Sequence, residues 1–488
     1  MSPLAPRYPL GEGLTISRVV NGMWQIADLE RDSAKLDLEQ AALAMSPYVE
    51  RGLTTFDMAD HYGSAELIAG LFGADAERLT KWTPKPGPVS REAVLEAVQR
   101  SLTRLRTDRI DLLQFHAWTW ADPGWLDALF HLQDLKREGL IRHIGVTNFD
   151  TAHLRIAVKS GIEIVSNQVS FSVLDQRATG AMAAFCLAHN IRLLAYGTLL
   201  GGFISEKWLG RKEPDWNRIE TWSQMKYGRF IRAAGGWGPF QQLLRSLDEV
   251  ATKHGVSMAA VASRAILDHD AVAAVIVGTR LSKSEHLEDT LRIFDLNLDD
   301  EDRQTITKGR RNLKKIPGDC GDEYRRPPFL TASGDLRHHF EEMPPPYPVK
   351  PGPRGRTLVV SGTSWEPLAG FSRAHRLEER IWISGTTATH VGRAIGGNDP
   401  RAQFHFIIDK IEGALISLGA TLEDVVRTRV YVRNTYDWED VALAHGERFR
   451  HILPANTLVQ AELVGEEYLV EVEAEAVVTS EEARQRRC

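Results

Sequence analysis

The sequence contains little cysteine: its 488 residues include only Cys186, Cys320 and Cys488. Three widely separated thiols form neither a disulfide framework nor the paired spacing of a zinc site. Long apolar runs are also missing, and the N-terminal stretch MSPLAPRYPLGEG has no apolar segment of the kind that a signal peptide requires. We therefore expect a cytoplasmic protein that does not bind a membrane.

An excess of charge of one sign is absent as well. The formal net charge is −6, which argues against a general nucleic-acid-binding protein. His338 and His339 are adjacent, but no further ligand-type residue lies at metal-binding spacing, so we expect no metal site. A chain of 488 residues exceeds what one hydrophobic core usually supports, which predicts at least two domains.

The first domain, predicted over residues 1–311, alternates short strand-like runs with amphipathic stretches. Eight strands, each followed by a helix, are typical of an α/β protein with a (β/α)8 TIM barrel. An open doubly wound sheet is the competing arrangement, but it would place GxGxxG after the first strand, and the sequence has no such motif. The predicted strands are 16–21, 54–57, 78–81, 111–116, 143–147, 164–168, 192–196 and 273–278.

The pattern changes after the barrel. Residues 312–356 are dense in proline and glycine, which disfavour regular structure, and are interpreted as a linker. In residues 357–478 strand-like runs outnumber helical ones without strict alternation, which predicts an α+β domain. Residues 479–488 are predicted to be a frayed tail.

Polar or ionisable residues end or follow seven consecutive predicted strands of the barrel. The C-terminal ends of barrel strands meet at one face, where barrel enzymes have their active sites, so we expect these residues to lie together. Packing alone does not explain a polar residue at the end of each apolar strand. In chain order they are Asp57 with Tyr62, Lys81, His116, Asn148, Gln168, Tyr196, and Gly278 with Thr279 and Arg280.

The same residues carry a resemblance to the aldo-keto reductase superfamily. FDMADHYGSAE resembles its FDTAxxYGxSE motif, RLTKW its lysine-bearing strand and LLQFH its histidine-bearing strand. GVTNFD, NQVSFS, LLAYGTLLGG and IVGTR follow in the family's order. The resemblance implies a catalytic tetrad of Asp57, Tyr62, Lys81 and His116. Lys85 is a second candidate for the lysine, although it lies between prolines in a loop.

The resemblance also implies an NADP(H) cofactor. Asn148 and Gln168 would hydrogen-bond the nicotinamide carboxamide, and Tyr196 would stack on the nicotinamide ring. Gly278 would belong to the cofactor-contacting segment that ends the eighth strand. Arg280 would pair with a 2′-phosphate in bidentate fashion, which favours NADPH over NADH.

The chemistry of carbonyl reduction explains these residue types. The reaction needs a hydride at carbon, which the nicotinamide carries, and a proton at oxygen, which the protein supplies. A free tyrosine titrates near about 10, but an adjacent ammonium lowers that pKa, and a carboxylate keeps the ammonium charged. We therefore predict Tyr62 as the proton donor, Lys81 as its activator and Asp57 as the counter-ion. His116 would orient the substrate oxygen.

Residues 357–478 resemble the RidA family through GFSRAHRLEERIWISGTTA, GATLEDVVRTRVYVRN, HILPANTLV and LVEVEAEAV. This resemblance implies a chorismate-mutase-like fold and a homotrimer, with clefts between subunits in which active members hydrolyse enamines and imines. The cleft positions are Phe371, Arg373, Asn456 and Glu471. Asn456 stands where the family has a carboxylate-binding arginine, and Phe371 where it has a tyrosine. A neutral amide forms no bidentate ion pair, so a carboxylate-bearing imine loses its main anchor here.

Three functions remain open at this point. The first is reduction of a small carbonyl or imine by NADPH, with the RidA-like module serving assembly or imine handling. The second is a non-catalytic NADPH-binding scaffold or sensor, and the third is RidA-type hydrolysis as the main activity. The complete tetrad favours the first, because a protein that only binds NADPH does not need Lys81 beside Tyr62.

Overall fold

The computed structural model describes residues 5–30, 35–73, 76–219, 221–281, 286–325 and 343–479. His338, His339 and Cys488 lie outside the described residues, as do 326–342 of the expected linker and 480–488 of the expected tail. Within the described ranges, no helix combines the length and the apolar character that crossing a bilayer would require.

A closed barrel of eight parallel strands forms the N-terminal domain, as the alternating sequence pattern predicts. An antiparallel hairpin precedes it, with β1 (Arg7–Gly11) paired to β2 (Leu14–Ser17). The barrel strands follow one another around the ring in chain order, and the last pairs with the first. They are β3 (Val19–Gly22), β4 (Thr55–Asp57), β5 (Glu77–Trp82), β6 (Ile110–Phe115), β7 (Ile141–Thr147), β8 (Ile164–Ser170), β9 (Arg192–Tyr196) and β10 (Val272–Gly278).

The helices of this domain pack around the barrel and bury apolar side chains against it. Several begin at a side-chain cap; Asp150, for example, accepts a hydrogen bond from the backbone N–H of His153. The helices are α1 (Trp24–Leu29), α2 (Leu38–Leu43), α3 (Ser46–Glu50), α4 (Ala65–Phe72), α5 (Arg91–Leu105), α6 (Gly124–Arg137), α7 (Thr151–Lys159), α8 (Ala181–Ala188), α9 (Trp222–Ala233), α10 (Trp237–His254), α11 (Met258–Leu267), α12 (Leu287–Asp295), α13 (Asp300–Gly309) and α14 (Asp322–Arg325). Short 3-10 turns occur at Leu200–Gly202, Glu206–Trp208 and Trp216–Arg218.

The hairpin closes the N-terminal end of the barrel. Leu10, Leu14 and Ile16 pack in one cluster with the barrel residues Leu79 and Leu112. The sequence predicted a single strand over 16–21, but the chain bends at its centre, so the first half belongs to the hairpin and the second half to the barrel. The barrel is therefore plugged at this end, and its site lies at the other.

The C-terminal domain is a seven-stranded mixed sheet with helices on one face. The sheet order is β11-β12-β13-β14-β19-β17-β18, in which β17 and β18 are parallel and the other neighbours antiparallel. Its strands are β11 (Val349–Pro351), β12 (Thr357–Val359), β13 (Ala374–Leu377), β14 (Arg380–Thr387), β17 (Val425–Val432), β18 (Ala455–Gln460) and β19 (Val470–Val477), with a separate pair β15 (Thr389–His390) and β16 (Arg393–Ala394). The helices are α15 (Trp365–Ala369), α16 (Pro400–Ser417) and α17 (Trp438–Phe449), with 3-10 turns at Pro353–Gly355, Leu422–Asp424 and Thr435–Asp437.

Both described parts of the expected linker take defined positions. The first, up to residue 325, ends in α14, whose Arg325 donates hydrogen bonds to the carbonyl oxygens of Ala117 and Asn148 on the barrel. The second begins at residue 343 and supplies β11, which pairs with β12 of the sheet. Each part thus extends one of the two domains.

Helix α16 lies between its own sheet and the barrel, where it packs against α7. Polar contacts cross this interface: Arg155 donates to Asp399 at 2.6 Å, and His390 lies 2.9 Å from Asp127. At Gly413 a Cβ atom would lie 2.4 Å from the carbonyl oxygen of Ala121, so the two domains approach too closely for a larger residue.

The most buried contact of the interface is an ion network centred on His153 of α7. Its Nδ1 lies 2.6 Å from Asp150, and its Nε2 lies 2.9 Å from Asp409 of α16. Arg448 of α17 donates to the other oxygen of Asp409. Burial alone would lower the pKa of His153, but the two carboxylates outweigh it and raise that pKa. Because both ring nitrogens face acceptors, the ring is an imidazolium.

The raised pKa gives the interface a pH dependence with a definite sign. An unfolded histidine titrates at about 6.5, and the folded protein binds this proton more tightly, so the network stabilises fully below that value. Its contribution is lost as the pH rises through the higher pKa of the folded state. His153→Gln is expected to cost about 3–5 kcal/mol at acidic pH, the usual effect of breaking a buried ion pair.

Thermal unfolding of wild type and His153→Gln between about pH 6 and pH 9 measures this effect. The difference between their unfolding midpoints is expected to shrink as the pH rises. A difference that stays constant over this range would show that folding does not raise the pKa of His153.

Candidate active site

A cleft of about 700 Å³ opens at the C-terminal end of the barrel. It begins beside the ends of β4, β5 and β6 and continues past β9 and β10. All nine residues that the sequence predicted for the catalytic and cofactor sites line it: Asp57, Tyr62, Lys81, His116, Asn148, Gln168, Tyr196, Gly278 and Arg280. Closure of the barrel brings these residues together, although they are spread over more than 220 positions of the chain.

A buried ion pair joins Asp57, at the end of β4, to Lys81, near the end of β5. Lys81, at 3% exposure, donates from Nζ to Oδ2 of Asp57 at 2.6 Å and to the carbonyl oxygen of Met58 at 2.9 Å. Burial lowers the pKa of Lys81, and the charge of Asp57 opposes that shift. The pair therefore keeps an ammonium inside the protein, where an isolated one would lose its proton.

Two amide side chains hold the other oxygen of Asp57. Gln114 donates to Oδ1 at 3.0 Å, and Gln168 donates to the same atom at 2.7 Å. Gln168 also donates to the side-chain oxygen of Gln114 at 2.8 Å. Gln114 was not predicted from the sequence, because it lies within β6 rather than at its end. In this structure the amide nitrogen of Gln168 is already engaged by Asp57 and Gln114.

Tyr62 lies in the turn between β4 and α4, above this ion pair. The Nζ atom of Lys81 is 4.8 Å from the centre of the Tyr62 ring. Trp24 packs edge-on against the same ring at 4.9 Å, with His61 beside it. Lys85 is exposed in its loop and does not line the cleft, so the geometry favours Lys81 as the lysine of the site.

His116 follows β6 and is 3% exposed. Its Nδ1 lies 3.3 Å from the carbonyl oxygen of Thr147, which can only accept, so Nδ1 carries the hydrogen. The ring packs edge-on against Trp118 at 4.4 Å and Tyr324 at 5.4 Å. These contacts fix the ring plane at the wall of the cleft.

Asn148 and Tyr196 form a second pair farther along the cleft. The hydroxyl of Tyr196 donates to the side-chain oxygen of Asn148 at 2.7 Å. Burial of that hydroxyl raises the pKa of Tyr196 well above its ordinary value. Asn148 adopts a left-handed backbone conformation with φ of 59°, which asparagine tolerates better than most residues.

The sequence did not predict two further residues of the cleft. Lys226 of α9 lies 4.7 Å from the centre of the Tyr196 ring and 4.5 Å from that of Tyr324, and it donates to the Tyr324 hydroxyl. Tyr324 comes from α14, within the segment expected to be a linker. No local sequence signal marks either residue, because distant parts of the chain bring them to the cleft.

Three tryptophans that lie in or just after strand-end loops, Trp24, Trp118 and Trp120, divide between the cleft and the core. Trp24 and Trp118 line the cleft, where they present apolar surface beside Tyr62 and His116. Trp120 lies under the domain interface instead, stacked on His153.

The far end of the cleft contains the segment after β10. A Cβ atom at Gly278 would lie 2.5 Å from the amide group of Gln25, so a larger residue there would have to displace that side chain. Thr279 is buried and donates to the carbonyl oxygen of Gly22, whereas Arg280 is exposed. Lys207 lines the same cleft and is also exposed, so Lys207 and Arg280 add two exposed cations to the buried Lys81 and the partly buried Lys226.

The four RidA-like cleft positions do not form one cluster. The Arg373 guanidinium donates to the Gly385 carbonyl oxygen at 2.7 Å and the Thr386 hydroxyl at 2.9 Å. Phe371 packs 5.5 Å from that guanidinium, and Glu471 is half-buried on β19, where burial raises its pKa. Asn456 is exposed on β18 and accepts from Thr428 at 3.2 Å. The buried Arg373 is thus tied to its own chain.

Metal ligands are not grouped anywhere in the part of the chain that the structure describes: no three His, Cys, Asp or Glu side chains converge there. Cys186 and Cys320 are free thiols in the core. Burial raises the pKa of both, which keeps them protonated and unreactive.

Comparison with known proteins assigns both domains. Residues 18–310 match the aldo/keto reductase family, and residues 361–478 match the family described as endoribonuclease L-PSP. The uncharacterized oxidoreductase YqkF of Bacillus subtilis is 30% identical over 57% of this chain and 87% of its own. A solved member of the YjgF/YER057c/UK114 family from Mycobacterium tuberculosis is 40% identical over 25% of this chain and 99% of its own, with a TM-score of 0.24.

The barrel fold is shared with the glycerol dehydrogenase of Gluconobacter oxydans. That structure is 22% identical over 65% of this chain and 98% of its own, with a TM-score of 0.53. This chain covers 54% of the length of a flagellar radial spoke protein of Chlamydomonas reinhardtii and 65% of that of a chloroplastic pyridoxal reductase of Arabidopsis thaliana, each of which is 27% identical to it over the aligned part. The chain belongs to the aldo/keto reductase family and carries a RidA-like domain after its barrel.

Proposed function

We propose that the protein is an NADPH-dependent reductase that converts an aldehyde or ketone into an alcohol. The observation that carries this proposal is the buried Lys81–Asp57 pair, whose ammonium lies 4.8 Å from the centre of the Tyr62 ring in the cleft at the C-terminal end of the barrel. Removing two charges from water costs free energy, and a reaction that needs a charged lysine beside a phenol explains why this pair is buried.

The residues of the cleft fit a nicotinamide dinucleotide. The tyrosine ring, two carboxamides and two bordering cations match the ring, amide and phosphate groups of such a molecule, and Gly278 leaves backbone exposed beside it. Asn148, Gln168 and Tyr196 would hold the nicotinamide, with Tyr196 offering a ring face for stacking. Since the Gln168 nitrogen donates to Asp57, its side-chain oxygen would serve the carboxamide. The bound nicotinamide supplies the hydride.

The remaining step is delivery of a proton to the carbonyl oxygen. Tyr62 donates it, and the adjacent Lys81 ammonium stabilises the tyrosinate that remains. Asp57 keeps that ammonium in place, and the two glutamines prevent Asp57 from turning away.

His116 and the surrounding aromatic rings position the substrate. For this role both ring nitrogens of His116 would carry hydrogens: Nδ1 donates to the carbonyl oxygen of Thr147, and Nε2 would donate to the substrate oxygen. Trp24 and Trp118 flank Tyr62 and His116. Such walls exclude water and favour a substrate with an apolar body next to its carbonyl.

The RidA-like domain is proposed to assemble the protein into a homotrimer. The sheet face opposite α16 and α17 remains open, and it carries Tyr431 and Val459 on neighbouring strands. Arg373 donates to its own chain and Asn456 is neutral, so hydrolysis of carboxylate-bearing imines has little support. Assembly is therefore the better-supported role of this module.

Tyr62→Phe is expected to reduce carbonyl turnover by about 10²–10⁴-fold, the usual contribution of a general acid. NADPH affinity should stay nearly unchanged, because the ring remains. NADPH absorbance measured with a panel of aldehydes and ketones gives the rate, and NADPH fluorescence gives the affinity. Wild-type turnover in this variant would refute the proton-donor role.

A pair of lysine variants controls this experiment. Lys81→Gln should lose turnover as Tyr62→Phe does, whereas Lys85→Gln should keep it, since Lys85 is exposed outside the cleft. If wild type binds NADPH but oxidises it with none of the carbonyls, the scaffold or sensor function is supported instead.

Arg280→Ala is expected to weaken NADPH binding by about tenfold or more, since a charge-assisted hydrogen bond contributes about 1.5–3 kcal/mol. NADH has no 2′-phosphate, so its affinity should change much less. Fluorescence titration with both cofactors makes the comparison. Equal losses of affinity for NADPH and NADH would show that Arg280 does not contact the 2′-phosphate.

Light scattering is expected to give the molar mass of three chains. Val459→Lys, which adds a charge to the open sheet face, should shift the protein towards single chains. Leu443→Lys is the matched control, because Leu443 is also an exposed aliphatic residue but lies on α17, away from that face. Equal effects of the two variants, or a wild-type monomer, would contradict assembly through the sheet.

A further inference from the structure

We propose that Asp409 of the RidA-like domain is a positioning residue of the reductase site, holding the Asn148 loop of the barrel through His153, Trp120 and Arg325. This inference deepens the proposed function and rests on it for its effect on NADPH. It assigns α16 a role in the barrel's own chemistry, beyond joining two domains.

The first link is the ion contact across the domain interface. His153 is 2% exposed and Asp409 is 1% exposed, and they meet at 2.9 Å. The other nitrogen of His153 is held by Asp150 at 2.6 Å. Asp150 also caps α7 and follows Asn148 by two residues, so the orientation of this imidazolium is tied to the loop that contains Asn148.

The second link is a stack of three flat groups. The rings of His153 and Trp120 lie 4.0 Å apart and are parallel to within 7°. The Arg325 guanidinium carbon lies 4.0 Å from the Trp120 ring centre. Two cationic groups thus contact the Trp120 indole, and moving either one changes the packing of the other.

The third link reaches the site itself. Arg325 donates to the carbonyl oxygen of Asn148 at 2.6 Å and to that of Ala117, next to His116, at 2.6 Å. The Arg325 guanidinium therefore links the backbone of Asn148, the proposed nicotinamide-binding residue, to the backbone of Ala117, which follows His116, the proposed substrate-orienting histidine.

The backbone of Asn148 is left-handed, with φ of 59°, a conformation that asparagine adopts more readily than most residues but that still costs more than the right-handed one. Its surroundings hold it there. Its N–H donates to the Gln168 carbonyl oxygen at 2.8 Å, its carbonyl accepts from Arg325, and its side chain accepts from Tyr196. If Asp409 is neutralised, His153 loses one of two counter-charges, and the loop is held less firmly.

The experiment compares Asp409→Asn with Asp127→Asn in the full chain. Both substitutions remove a carboxylate that pairs with a histidine across the same interface, since Asp127 contacts His390 at 2.9 Å. Only Asp409 belongs to the chain of contacts that reaches Asn148. NADPH affinity, carbonyl turnover, thermal unfolding and hydrogen exchange of the peptide covering residues 147–154 are measured for both.

Asp409→Asn is expected to weaken NADPH binding by about three- to tenfold, the usual size of an effect transmitted through neighbouring residues. Exchange in residues 147–154 should become faster, and Asp127→Asn should change neither quantity. If both variants lower the unfolding midpoint alike while NADPH affinity and exchange stay at wild-type values, Asp409 is only structural and the proposal is wrong.

A double-mutant cycle tests the chain of contacts. Trp120→Phe keeps an aromatic ring but narrows the stacking surface, so its effect on NADPH affinity should be less than additive with Asp409→Asn. If Asp409→Asn does not fold, Trp120→Phe alone must reproduce the loss of NADPH affinity and the faster hydrogen exchange in residues 147–154. If wild type binds no NADPH, the proposed function fails, and the exchange comparison alone then decides the role of Asp409.

Discussion

The site depends on one buried ion pair, between Asp57 and Lys81. Two charges inside a protein are costly unless every polar atom around them is satisfied. Here Lys81 holds one oxygen of Asp57, and Gln114 and Gln168 hold the other. Asp57, Gln114 and Gln168 come from β4, β6 and β8. Alternate strands contribute each layer of a barrel interior, so these three form one polar layer under the cleft.

This arrangement explains which parts of the site could be predicted from sequence. A polar residue at the end of an apolar strand stands out, and the barrel topology alone brings such ends together, as it does for Asp57, Lys81 and His116. Gln114 lies one position before a strand end and gives no such signal. Lys226 and Tyr324 reach the cleft through long-range packing of α9 and α14, which local sequence pattern does not encode.

The interface between the two domains could not be predicted from the sequence for a related reason. Helix α16 is covered by its sheet on one side and the barrel on the other, so it is buried nearly all round and lacks a clear polar face. The roles of the polar residues of α16 become clear only from the residues of other elements that they contact. Asp409 meets His153, and Lys410 donates to the carbonyl oxygens of Thr387 and Thr389 at 3.1 and 2.7 Å, where burial lowers its pKa to about 7.

The RidA-like domain therefore has two faces with different tasks. Its helical face is committed to the barrel by the close approach at Gly413 and by the His153 network. Its sheet face stays open for the proposed assembly. The Arg373 guanidinium donates to the Gly385 carbonyl oxygen and the Thr386 hydroxyl, so this copy of the fold uses that cation for contacts within its own chain. Asp409 lies between the fold of one domain and the cleft of the other, and the proposed link through His153 would give the fusion a physical reason: the RidA-like module would add to the contacts by which the barrel already holds the Asn148 loop.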